Sequence, residues 1–252
     1  ALVPAKKLGG AKRSGNASKS IKKKKAKIKA QTGHAEKGDQ PLNEEQQQAV
    51  AIIDRPVLVQ AGPGTGKTRT LIHRIAGLIK DGGVHPGKIS AVTFTRKAAS
   101  ELRQRLESLL PPESVQGCWV GTFHQLGARI LDMFADEAGV ERQETVLGED
   151  EALGLFRQAV KSGDLGLAPA QVPSLFHEVS LFKQTLVSCS DTDGETLVGR
   201  AYVAYEKHLK SAGAFDLDDF LVRPVRLLQD HPVVAAEISE TIAEHLLVDE
   251  FQ

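Results

Sequence analysis

The chain has 252 residues, with 32 Lys/Arg balanced by 32 Asp/Glu and two cysteines, Cys118 and Cys189. That length suits one or two domains of about 100–200 residues each, and no apolar run approaches the roughly 18 residues of a membrane span. The cysteines have no metal-ligand spacing and do not suggest a disulfide framework; a reducing, cytoplasmic setting is the simpler reading.

Residues 1–38 hold 12 Lys/Arg against one acid, Glu36, so the neutral total hides a basic start and an acidic remainder. Residues 1–40 are rich in Lys, Ala, Gly and Ser. Such a segment buries too little apolar surface to offset its ordering entropy and is expected to be disordered. The run Ile21–Lys29 has no apolar stretch behind it, so it is not a secretory signal. It reads as a solvated linker from an upstream domain, with contact to a phosphate backbone as the competing reading. A start on Ala1 and a stop at Gln252 inside a motif suggest a piece of a longer protein.

Order is expected from Pro41. Asn43 reads as the cap of a helix through Val50 and Ile53, with Gln46 at its third position. Val57-Leu58-Val59 reads as a buried strand, followed by the glycine loop Ala61–Gly66 and a helix ending near Gly82-Gly83. A second strand is expected at Ala91–Thr95. Arg96 to Leu110 repeats Ala99, Leu102, Leu106 and Leu109 at helical spacing and stops at Pro111-Pro112. Cys118–Phe123 reads as a third strand passing into a turn, and Leu246–Asp249 as a fourth. Short apolar runs alternating with helices imply an α/β fold with a parallel sheet covered on both faces. Between about 135 and 212 the pattern becomes helical (150–161, 170–186, 195–211) with no convincing strand. Two further helices, around 216–229 and 232–244, lead back to the last strand.

The chemistry concentrates in Ala61-Gly62-Pro63-Gly64-Thr65-Gly66-Lys67-Thr68. A glycine loop between strand and helix turns several backbone N–H groups toward one anion, and the helix N-terminus adds partial positive charge. Lys67 is expected to reach the β- and γ-phosphates and Thr68 to ligate Mg²⁺. Leu247-Val248-Asp249-Glu250 supplies the acidic partner: Asp249 for the metal and Glu250 as base for an attacking water.

Several motifs in order then resemble the UvrD/Rep-type superfamily 1 DNA helicases across about residues 41–252. They are Leu42-Asn43 with Gln46, Ala61–Thr68, Thr93–Ala99, Gly121-Thr122-Phe123-His124, Asp216-Leu217-Asp218-Asp219 and Val248–Gln252. The resemblance implies a RecA-like P-loop domain with an inserted all-helical subdomain: 41–134 as its first part, 135–212 as the insertion, and 213–252 as its second part, ending in the Walker B acids. It implies ATP and Mg²⁺, held by Gln46 at the adenine, by Gly62, Gly64, Thr65, Gly66, Lys67, Thr68 and Arg69 around the phosphates, and by Thr68 and Asp249 at the metal. Glu250, Lys67 and Gln252 take catalytic positions, Gln252 as γ-phosphate sensor. Phe94, Thr95, Arg96, Thr122, Phe123 and His124 match the single-stranded DNA path; aromatic faces and phosphate-binding groups suit sequence-tolerant binding. Arg96 stands where many relatives have Asn, and Leu217 where they have Phe.

The implied activity is 3′ to 5′ translocation on DNA, with a second RecA-like domain of the same polypeptide as partner and no membrane. Without that domain the chain is expected to be nearly inactive. Competing readings are a subunit of a RecB/AddA-type helicase–nuclease, a non-catalytic DNA-binding module, and a P-loop enzyme transferring phosphate to a small acceptor. The last has no use for the 93–99 and 121–124 elements.

Overall fold

The computed structural model describes residues 41–140, 144–187, 192 and 195–251. The basic leader, Cys189 and Gln252 lie outside the described residues. The chain divides into two units, Ala1–Asn43 and Glu44–Gln252; the sheet and its helices belong to the second.

Helices α1 (Glu44–Ala51) and α2 (Lys67–Lys80) precede β1 (Ile89–Thr93). Then come α3 (Arg96–Glu107), α4 (Pro112–Gly117), β2 (Trp119–Thr122) and α5 (Phe123–Met133). The last stretch holds α9 (Asp219–Asp230), α10 (Pro232–Thr241) and β5 (His245–Val248). The strands form a parallel sheet in the order β2-β1-β5. All five residues of β1 are buried, as a central strand covered on both faces requires. Side chains alternate along it. Ile89 and Ala91 join a cluster with Ile72, Ile75 and Leu78 of α2 and Leu102 and Leu106 of α3. Ser90 donates to the Ile242 carbonyl at 2.5 Å, on the side where Ile130, Phe134, Leu227, Val234 and Ile238 pack together. Each fully buried Leu or Ile contributes about 1.5–3 kcal/mol, so the first cluster holds α2 and α3 to the sheet and the second holds α5, α9 and α10 to one another.

Between α5 and α9 lie α6 (Glu149–Ser162), α7 (Val172–Gln184) and α8 (Leu197–Ser211). They share a core of their own around Phe156, Leu175, Val179, Tyr202, Tyr205 and Leu209. The Phe156 and Tyr205 rings meet edge to face, 5.4 Å apart.

Three expectations change. Val57-Leu58-Val59 forms no strand and belongs to neither sheet, and Leu58 is 68% and Val59 43% exposed. A three-residue apolar run states a tendency to be buried; it names no partner strand, and the described residues provide none. The turn expected after β2 is the helix α5. Thr122 caps it in a reciprocal box with Gln125, a spacing visible in the sequence. Finally, the 135–212 stretch, expected to lack strands, contains β3 (Thr145–Val146), which pairs in parallel with β4 (Ala214–Phe215). Two residues are too few to leave a periodic signal.

Helices α5 and α9 approach so closely that a Cβ on Gly127 would fall 1.7 Å from the Phe220 carbonyl oxygen. Gly127→Ala must part them. An overpacking cost of about 2 kcal/mol lowers the melting temperature by roughly 4–8 °C, read by thermal unfolding. Cys118 is buried, and burial raises its thiol to about 11 despite nearby Arg103. Iodoacetamide at mildly alkaline pH is therefore expected to alkylate Cys118 only after unfolding, as peptide mass spectrometry would report.

Candidate functional site

The loop Ala61–Gly66 leads from the 57–59 segment into α2. Gly64 and Gly66 hold φ of 75° and 95°, where an L side chain is strained. Thr65 Oγ1 donates to the Gly62 carbonyl at 2.7 Å and fixes the bend. Gly66 leaves the start of α2 with no side-chain cap. Its first N–H groups therefore keep their partial positive charge for an anion. Lys67 Nζ folds back to donate to the Ala61 carbonyl, 3.3 Å away.

Asp249 arrives from the far end of the sequence. β5 pairs with β1, placing Val248 opposite Val92, and the Asp249 N–H donates to the Val92 carbonyl at 2.9 Å. Its carboxylate then accepts from Thr68 Oγ1 at 3.3 Å, across 181 residues of chain. Glu250 follows, exposed, with φ 57°. A non-glycine residue in that region costs about 1–3 kcal/mol and persists only where its surroundings impose it.

A hydroxyl beside a carboxylate is a hard-oxygen set that fits Mg²⁺, which keeps water and phosphate oxygens among its ligands. Among the described residues no group of three or more His, Cys, Asp or Glu could hold a metal ion. An ion at Thr68 and Asp249 would thus draw its other oxygens from a bound polyphosphate and from solvent.

Gln46 and Arg69 meet beside the loop. The Gln46 amide donates to the Thr65 carbonyl at 2.9 Å and accepts from Arg69 Nη2 at 3.0 Å. Both ends of the amide thus tie α1 to the loop. Sequence reasoning missed a supporting residue, Arg74, which donates to the carbonyls of Ala49 (2.6 Å) and Ile52 at the end of α1. A basic side chain reaching the last carbonyls of a neighbouring helix leaves no sequence pattern.

The parallel sheet gathers the remaining expected residues. Thr93 and Thr122 are register partners at the ends of β1 and β2, so Phe94-Thr95-Arg96 and Phe123-His124 emerge side by side. Phe94 is 79% exposed and Phe123 41%; neither is a core residue. Thr95 accepts from the Ala98 N–H at 3.1 Å and Thr122 from the Gln125 N–H at 3.3 Å. Each hydroxyl caps a helix through a lone pair; Thr95 is exposed and Thr122 is buried. Two helix N-termini, of α3 and α5, thus open at the edge that also carries Asp249. Behind it Trp119 lies under the Arg129 guanidinium, 5.7 Å from ring centroid to Cζ.

The family model for the UvrD/REP helicase N-terminal domain matches residues 42–252. The ATP-dependent DNA helicase PcrA of Leuconostoc citreum is 33% identical over 217 residues, 84% of this chain and 29% of that protein. PcrA of Staphylococcus epidermidis is 33% identical over 217 residues, covering 84% and 30% of the two chains. PcrA of Staphylococcus aureus is 31% identical with the same coverage. The chain spans about 30% of the length of these curated relatives.

Because Phe94 packs against so little, Phe94→Ala is expected to leave the melting temperature within about 2 °C, the scale of a surface change under about 0.5 kcal/mol. Differential scanning fluorimetry checks this.

Proposed function

Since the chain belongs to the UvrD/REP helicase N-terminal domain family, we propose that it is the first ATP-binding half of an ATP-dependent DNA helicase. On this reading the intact protein translocates along single-stranded DNA in the 3′ to 5′ sense. The observation that carries it is the contact between Thr68 and Asp249, which joins the phosphate loop to the acids of β5. The proposed organisation is a RecA-like domain from 41–134 and 213–252, with 135–212 as a helical insertion. No helix among the described residues is long and apolar enough to cross a membrane; a cytoplasmic setting belongs to the same proposal.

The roles follow from position. On this reading loop N–H groups, Lys67 and the start of α2 bind the β- and γ-phosphates, and Gln46 and Arg69 are assigned the adenine and the adjacent phosphate side. Thr68 and Asp249 would hold Mg²⁺, which when bound neutralises charge developing on the transferred phosphoryl group. Glu250 accepts the proton of the attacking water. Gln252, outside the described residues, is assigned γ-phosphate sensing by resemblance. Phe94 and Phe123 stack on bases, while Thr95, Arg96, Thr122 and His124 hold the backbone of the strand.

The proposal gives the arginines that complete phosphoryl transfer to a second RecA-like domain. MgATP is therefore expected to bind this chain weakly and raise its melting temperature, while DNA-stimulated turnover stays near background. Lys67→Ala should weaken binding at least about tenfold, the loss of roughly one charge-assisted contact, and abolish the thermal shift. A fluorescent ATP analogue reads the first outcome. Nucleotide binding unchanged in Lys67→Ala would refute the assignment and favour a non-catalytic DNA-binding module.

A further inference from the structure

The segment Asp216-Leu217-Asp218-Asp219 has no role in the chemistry above, yet Asp216 and Asp219 are 4% and 3% exposed. Both face Lys183 of α7, itself 1% exposed. Its ammonium lies 3.2 Å from Asp216 Oδ1, 2.9 Å from Asp219 Oδ1 and 2.9 Å from Glu206 Oε1 of α8. Asp218 joins from the same turn, accepting from Ser180 Oγ at 2.6 Å and Gln184 Nε2 at 2.8 Å. All three acids of the segment therefore grip α7. Arg223, one turn along α9, contacts Asp219 at 3.4 Å and Glu144, just before β3, at 3.0 Å. The entry to the three-helix group and the exit from it are thus strapped to α9.

Three carboxylates around one buried ammonium make a poor device for stability alone, because desolvation offsets most of the attraction. They do fix one geometry, since an ionic cluster cannot slide as an apolar contact can. What they fix is the start of α9. The Phe220 carbonyl, next after Asp219, is the group against which Gly127 of α5 is pressed. Helix α5 begins at Phe123 and His124.

We propose that Lys183 is a positioning residue for single-stranded DNA. By clamping Asp216 and Asp219 it sets α9, through the Phe220–Gly127 contact it sets α5, and so it orients the Phe123-His124 end that faces the strand. This rests on the DNA path assigned above.

The test is a double-mutant cycle on the full 252-residue chain, with fluorescein-labelled oligothymidylate followed by anisotropy. Phe123→Ala should weaken binding by about tenfold, the worth of one base–aromatic stack. Lys183→Met should weaken it by about fivefold, and in the Phe123→Ala background should cost almost nothing more, because residues acting through one another are not additive. Emission of Trp119, the only tryptophan, reports whether each variant is folded. Should Lys183→Met not fold, Ser180→Ala with Gln184→Ala loosens the same clamp from its partly exposed side, with a loss of about twofold that again disappears in the Phe123→Ala background. Fold-losses that multiply, or a clamp variant that binds as the parent does while Phe123→Ala is weakened, overturn the inference and leave the DNA path standing. A parent chain that does not bind oligothymidylate, or binding indifferent to Phe123→Ala, overturns the DNA path and the inference with it.

Discussion

The structure depends on one meeting: a threonine hydroxyl at the start of α2 and a carboxylate beyond β5, 3.3 Å apart. Neither residue could find the other by local chemistry. They meet because β1 is buried along its whole length and pairs with β5 in a register that puts Val248 beside Val92. A slip of one residue would turn every side chain of β5 over and carry Asp249 away from the loop. The buried sheet is thus the condition for the site as well as for the fold.

The same parallel sheet explains why two kinds of contact share one edge. Strands that run alike end alike, so the phosphate-loop partner Asp249, the Phe94 segment and the Phe123 segment all leave the sheet on the same side. Helix N-termini gather there too. Ligands at the Asp249 side and across the aromatic side would then be neighbours.

Charge is used in two ways. Around the loop it is left open: among the described residues, Lys67 is held by a carbonyl and not by an acid. Under α9 it is closed. Burial works against the Lys183 charge, yet Asp219, Asp216 and Glu206 outweigh it and hold its pKa above the ordinary lysine value. Burial also pushes the Asp216 carboxyl up, with Lys183 pulling it back. The first arrangement suits a ligand that comes and goes, the second a joint that stays.

The sequence by itself determined the phosphate loop, the acidic strand end, the alternation of strands with helices and the helical character between about 135 and 212. Those features are local: a glycine pattern, a period, a run of apolar residues followed by acids. The spacing of Thr122 and Gln125 also carries the signal for α5. Tertiary structure alone decided that Leu58 and Val59 stand outside the sheet, that β3 and β4 pair, that Arg74 braces α1, and that Asp216, Asp219 and Glu206 close on Lys183. Each of these is a choice of partner between residues far apart in the chain, and a side chain's preference for burial or for opposite charge does not say which partner it will meet.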